Sequence, residues 1–218
     1  MKSHPPENET DPPISASAAR RTQARIELRA KILAAAAELF IARGYEGLSM
    51  RQLGERIGYS PATIYLHFAN KDALLLALLS DGYNELGRRL AAVAAATHDP
   101  LERIAAVGRA YVAFGREQPM HYQLMFMRRA DVLRERLAER SERVDAFQVL
   151  QLTVTQAQAA GVLQPGDTLA ISLTLWATVH GMVGLFLVGP PLPEAQIQVT
   201  IETTIAGILY GLAKEGLR

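Results

Sequence analysis

The stretch Leu48-Ser49-Met50-Arg51-Gln52-Leu53-Gly54-Glu55-Arg56-Ile57-Gly58-Tyr59-Ser60-Pro61-Ala62-Thr63-Ile64-Tyr65-Leu66-His67-Phe68-Ala69-Asn70-Lys71 decides how this 218-residue chain is read. Ser49 and Gln52 have the spacing of a capping box that opens a short helix, and Gly58 is placed to close it. Ser60 can cap a second short helix whose first position is Pro61, where proline gives up only an N–H that would be orphaned anyway. Two short capped helices joined across a tight Gly58–Tyr59 turn have the grammar of a helix-turn-helix. In that arrangement the second helix enters the major groove N-terminus first, so Ser60, Pro61, Ala62, Thr63 and Tyr65 supply contacts. The Thr63 and Tyr65 hydroxyls suit phosphates, Pro61 and Ala62 suit thymine methyls, and the leading amides favour an anion. Arg51, His67 and Lys71 frame the backbone, while Ile64 and Phe68 are expected in the core. The competing account is that Tyr65 and His67 only fill space between small helices.

Working outward, a helix is predicted over Thr22–Arg43, with Ile32, Ala36, Leu39 and Phe40 on one stripe and Gly44 at its end. Asn70 caps a further helix from Lys71 to about Ala96, carrying Leu74, Leu75, Leu78 and Leu79, long enough to link two domains. Asp99–Pro100, Pro119 and Asp167 mark later helix starts, and Gly115, Gly161 and Gly189–Pro190–Pro191 mark breaks or stops. No run of alternating β-branched residues bounded by hairpin turns is present, so the fold class is all-α. The organisation expected is a disordered leader over 1–19, a helix-turn-helix domain over 20–71, a linking helix over 72–98 and an effector-binding and dimerisation domain over 99–218.

The net charge of +1 conceals an asymmetry. Ala18–Lys71 holds nine Lys/Arg against four Asp/Glu, a net +5, whereas Asp72–Arg218 is net −2. A basic head on a mildly acidic body fits one end meeting a polyanion, although a solvated charged helix has the same composition. Arg20, Arg21, Arg25 and Arg29 form a basic approach that either adds phosphate or minor-groove contacts from a mobile arm or simply solubilises a helix start. The chain has no cysteine, which excludes disulfides and thiolate chemistry and fits a reducing, cytoplasmic setting.

The run from Leu48 to Phe68 resembles the TetR (tetracycline-repressor) family. Ile32 to Tyr45 is similar to that family's first helix, and Phe68-Ala69-Asn70-Lys71-Asp72-Ala73-Leu74 matches as well. The resemblance implies a homodimer whose recognition helices contact successive major grooves of double-stranded operator DNA. It places contacts on Ser49, Arg51, Ser60, Pro61, Ala62, Thr63, Tyr65, His67 and Lys71. Two positions depart from the pattern. Gly54 stands where alanine is usual, at a helix-propensity cost of up to about 1 kcal/mol if exposed. Ser49 stands for the commoner threonine and keeps the cap.

Beyond Leu101 the chain offers apolar surface more than chemistry. Tyr111, Phe114, Tyr122, Met125, Phe126 and Phe147 can line helix faces around an adaptable effector pocket or be plain core. Leu175-Trp176-Ala177-Thr178-Val179-His180-Gly181 puts Trp176 and His180 on one helix face, where indole and imidazole can hydrogen-bond. This segment, with Pro119 to Phe126, resembles the WHG-type effector domain. Ala177, Gly181, Gly184 and Val188, with Gly207 and Gly211, expose little side chain. They are candidates for the four-helix dimer interface the family implies, or for close packing within one subunit. Leu169–Val188 is long and apolar enough to raise a membrane-spanning reading, against which stand Ser172, Thr174, Thr178, His180 and the lack of cationic anchors.

No Ser/His/Asp arrangement, Gly-rich phosphate loop or paired-histidine metal motif appears, so no catalytic or metal residue and no cofactor is assigned. The leading expectation is a repressor released from its operator by a small, largely apolar effector. The alternative is a ligand-independent or partner-regulated DNA binder whose C-terminal domain only dimerises.

Overall fold

The computed structural model describes residues 16–127 and 144–214, and all of the regular elements among them are helices. Helix α1 (Ala16–Arg43) begins before Thr22, the predicted start, so the end of the expected leader is already helical and residues 1–15 lie outside the described residues. It is followed by α2 (Met50–Ile57), α3 (Pro61–Tyr65) and α4 (Lys71–Ala96). The body comprises α5 (Pro100–Glu117), α6 (Pro119–Tyr122), α7 (Ala146–Ala159), α8 (Thr168–Val188) and α9 (Glu194–Leu212).

The anticipated punctuation carries the backbone. Asn70 Oδ1 accepts from the Ala73 amide at 2.9 Å, and Asp99 Oδ1 accepts from Glu102 at 2.7 Å. Asp167 caps α8 through the Leu169 amide at 2.8 Å. Gly44 and Gly161 adopt the left-handed conformation that ends a helix (φ +70° and +71°). Gly115 is different: the sequence marks it as a break, yet it lies inside α5. Its lack of a side chain serves packing, since a Cβ there would stand 2.4 Å from Val183 Cγ1 and 3.2 Å from Tyr122 Cδ2. The sequence pattern shows a glycine but not what approaches it.

Buried apolar side chains form one cluster running from Ile32 in α1 through α4 to Ile205 in α9. The head packs Ile32, Ala36, Phe40, Leu53, Ile64 and Phe68, all at most 5% exposed, so Ile64 and Phe68 are core as expected. Helix α4 contributes Leu74, Leu78 and Leu79 near its start and Leu86 and Leu90 farther along. After α6 the chain passes into a widened turn, Gln123–Met127, closed by i→i+5 bonds, and the Tyr83 hydroxyl donates to the Met125 carbonyl across from it at 3.1 Å. Such widened turns are rare and recur where a helix must re-aim side chains. Two α5 arginines fasten α9: Arg109 to Glu202 at 3.1 Å, and Arg116 to Glu194 at 2.5 Å. The C-terminal end folds back, with Gln164 N donating to Leu212 O and Lys214 N to Val162 O.

Gly115→Ala is expected to destabilise the protein by about 1–3 kcal/mol through overpacking. Thermal melts should show Val183→Ala relieving part of that loss; additive effects of the two changes would show that the contact is not tight.

Candidate nucleic-acid interface and body core

Both short helices of the head are capped as their sequence dictates. Ser49 Oγ accepts from the Gln52 amide and Gln52 Oε1 accepts from the Ser49 amide, each at 3.2 Å, closing a reciprocal box. Ser60 Oγ accepts from the Thr63 amide at 3.2 Å and lies 3.0 Å from the Thr63 hydroxyl. Gly58 takes φ +77°, and both its amide and that of Tyr59 donate to Gly54 O at 3.0 Å. This draws the turn so close that a Cβ on Gly54 would lie 2.6 Å from Tyr59 O. Gly54 is therefore buried at a close approach, and the propensity cost expected for an exposed glycine does not describe it.

With Ile64 and Phe68 turned inward, the opposite side of the second short helix is open. Ser60, Pro61 and Ala62 are exposed, Tyr65 is 52% exposed and Leu66 80%. Thr63 and His67 are half-buried at the edges. Leu66 is open because it lies two residues from the inward Ile64, about 200° around the helix. The cations differ in their engagement. Arg51 is exposed and pairs with Glu55 at 3.0 Å. Lys71 is held inside the head: its ammonium donates to Tyr45 O and Glu46 Oε2, both at 3.3 Å, and lies 4.0 Å from the Tyr45 ring centroid. Tyr45 in turn donates to Asp72. Lys71 thus ties the end of α1 to the start of α4. On the other flank Lys31 donates to Ile57 O at 3.1 Å and covers Tyr59, steadying the end of α2 and the turn.

In the body, five of the eight effector-pocket candidates, Tyr111, Tyr122, Phe126, Trp176 and His180, gather into one aromatic cluster, with Phe147 against Trp176 at 5.3 Å. Trp176 and His180 do not make the hydrogen bond that their shared helix face would allow. His180 Nδ1 instead meets the Tyr122 hydroxyl at 2.7 Å and that of Tyr111 at 3.0 Å, while the indole packs edge-on against Tyr111. Sharing a helix face does not bring the rings together, because the tyrosines of α5 and α6 reach the imidazole first. Phe114 and Met125 lie elsewhere: Phe114 packs under the Arg89 guanidinium, and Met125 Sδ lies 2.6 Å from where a Cβ on Gly82 would stand.

A cavity of about 30 Å³ adjoins the cluster, lined by Tyr111 and Trp176 together with Leu90, Val107, Val179 and Ile205. An open cleft of about 700 Å³ separately runs between α1, α4 and α6 past Leu33, Asp81, Phe114 and His121. Burial pushes the Tyr122 hydroxyl up to about 12 and the Tyr111 hydroxyl higher still. Desolvation lowers His180 and also His121, where Asp81 opposes it in part. The Tyr–Tyr–His group is therefore neutral near pH 7, with no buried charge to compensate.

The interface candidates on α8 and α9 split as well. Among the described residues nothing outside the helix's own backbone comes within 4 Å of where a Cβ on Gly181, Gly207 or Gly211 would stand, and Ala177 and Val188 are exposed, whereas a Cβ on Gly184 would stand 3.7 Å from Met127 Cε. The open side of these helices also carries Leu169, Leu173, Leu185, Val199 and Tyr210, each about half exposed or more.

A capped helix-turn-helix with an open outer face, set on an all-helical body, is the arrangement of DNA-binding transcriptional regulators. Residues 32–78 match the model described as bacterial regulatory proteins, tetR family, and residues 104–208 match that described as Tetracyclin repressor-like, C-terminal domain. The chain belongs to the tetR family. It is similar to the HTH-type transcriptional activator FasR of Mycolicibacterium smegmatis, 32% identical over 102 residues, 47% of each chain, so the match spans about half of that relative. It is also similar to the probable HTH-type transcriptional regulator ArpR of Pseudomonas putida, 28% identical over 78% of this chain and 86% of that one. The ketosteroid transcriptional regulator KstR2 of Mycobacterium tuberculosis shares the fold (TM-score 0.72, 22% identity, 86% of this chain and 95% of that one).

His121 and His180 favour their neutral forms in the fold, so the unfolded chain binds more protons once pH falls below the ordinary histidine value of 6.5. Their contribution to stability is complete above that value and is lost as pH falls toward the folded-state values. Thermal melts at descending pH should show the decline, flattened in His121→Gln/His180→Gln; an equal decline in the variant would remove these histidines as its cause.

Proposed function

We propose that the protein is a homodimeric operator-binding regulator that represses transcription and is released by a small, largely apolar effector. The observation that carries the reading is the capped helix-turn-helix whose second helix leaves Pro61, Ala62, Tyr65 and Leu66 open while its inward face is fully packed. Ser49, Arg51, Ser60, Thr63 and His67 surround that face with donors for phosphates, and Lys71 acts chiefly by positioning. Two copies whose α8 and α9 faces meet would bury the exposed leucines, Val188 and Tyr210, with Gly181, Gly207 and Gly211 allowing close approach. Such a dimer presents its recognition helices about one DNA turn apart, roughly 34–36 Å.

The body core bears on the effector. The cavity of about 30 Å³ beside Tyr111 and Trp176 is an order of magnitude below the roughly 300–1,000 Å³ of ordinary ligand pockets, so an effector bound there would have to select a state in which the aromatic cluster has opened. A hundredfold loss of operator affinity on binding requires about 2.7 kcal/mol of coupling between the two sites. The filled core equally favours a second reading, in which the body only dimerises and regulation comes from a partner. A bound effector that leaves operator affinity unchanged would select that second reading.

Tyr65→Ala and Leu66→Ala are each expected to weaken binding to an operator recovered by genomic pull-down by about 1–3 kcal/mol while leaving the melting temperature unchanged. Retained affinity in both would discard this face as the reading surface. Gly181→Arg/Gly207→Arg should give a folded monomer in sedimentation, because neither site has room-limiting neighbours among the described residues; a persistent dimer would place the interface elsewhere.

A further inference from the structure

We propose that the first twelve residues of α1, Ala16–Glu27, form a rigid cationic arm that binds the DNA phosphates flanking the groove read by α3. The inference rests on the reading that the head binds DNA and adds to it a second, sequence-independent element. Burial of α1 against the head begins at Leu28 and Ile32; from Ala19 to Glu27 every residue is exposed. At 1.5 Å per residue this exposed stretch is about 13.5 Å long. A detached helix of this length would be marginal in water, but this one continues a packed helix and needs no separate nucleus.

Its placement follows from where α1 crosses the head. Lys31 lies against the α2–α3 turn, at Ile57 O and the Tyr59 ring, and the Arg29 guanidinium lies 5.2 Å from the Phe68 ring centroid, just past α3. The arm therefore leaves the head along the helix-turn-helix edge. Arg21, Arg25 and Arg29 are spaced four apart and share one stripe, so the side of the arm carrying Arg21 and Arg25 continues the side on which Arg29 meets Phe68. With Arg20 and against Glu27 alone, the projecting part is net +2. Arg29 is partly engaged with Asp81 at 3.9 Å, which leaves Arg21 and Arg25 as the residues to carry the contact.

The helical form also decides how the arm binds. An α-helix with its side chains is about 10–12 Å across, whereas the minor groove of B-DNA is about 6 Å wide. An extended arm could thread that groove; a helix cannot, so its arginines lie along the phosphates and are indifferent to sequence.

The test compares the full-length protein with Arg21→Gln/Arg25→Gln, which keeps good helix formers, on a random-sequence duplex of about 40 base pairs titrated across salt concentration. Loss of two phosphate contacts should make the slope of log K against log salt less steep by about 1.8 per protomer, with helix content by circular dichroism unchanged. The difference should shrink on a duplex trimmed to the groove turns occupied by the heads. Equal slopes for wild type and variant, with wild-type binding steep and salt-dependent, would overturn the arm and leave the head's function standing. Wild-type protein that binds neither the random duplex nor the pulled-down operator would overturn both.

Discussion

The structure depends on α4 being buried at both ends. Its first turns close the head through Leu74, Leu75 and Leu78, and its later turns enter the body through Leu86 and Leu90. Both sets belong to one apolar cluster. The body can come this close because α4 is pared back where neighbours cross it. A Cβ on Gly82 would lie 2.6 Å from Met125 Sδ, and one on Gly87 would lie 2.0 Å from Val144 O. Close-packed interfaces of this kind do not deform smoothly; they move between discrete arrangements. A change in the body that displaces the widened turn at Met125 and Phe126 therefore bears directly on the helix that begins at the DNA-reading head.

At the head end the same logic is carried by polar side chains. Lys71 and Asp72 at the start of α4 engage Tyr45 and Glu46 just after α1, while Lys31 braces the α2–α3 turn. Helix α3 has five residues, too few to hold a helical conformation alone, so its attitude is set by these ties and by the inward packing of Ile64 and Phe68. The open outer face of α3 is thus a consequence of what its inward face and flanks are fastened to.

In the body, the neutral Tyr111–Tyr122–His180 group satisfies polar atoms inside an aromatic cluster without introducing a charge. Its three members come from α5, α6 and α8, so it specifies how those helices meet. A hydrogen-bonded group in low dielectric favours one arrangement over alternatives, since a slip that parts His180 Nδ1 from the tyrosine hydroxyls leaves polar atoms without these partners.

The sequence by itself determined the features that are local in chain and chemistry. Ser49, Ser60, Asn70, Asp99 and Asp167 cap helices because their side chains reach amides two or three residues on. Gly44, Gly58 and Gly161 end helices because only their own backbone has to accept a left-handed conformation. The inward placing of Ile64 and Phe68 follows from helical period. Tertiary structure alone decided what depends on a distant neighbour. Gly115 and Gly54 are close approaches and not a break or a propensity cost, because Val183 and the Tyr59 carbonyl stand against them. Lys71 is held by the segment after α1, His180 is bonded to tyrosines rather than to Trp176, and Gly184 faces inward while Gly181 does not. Periodicity states which residues share a face, but which partner meets that face is settled only when helices far apart in the chain compete for the same space.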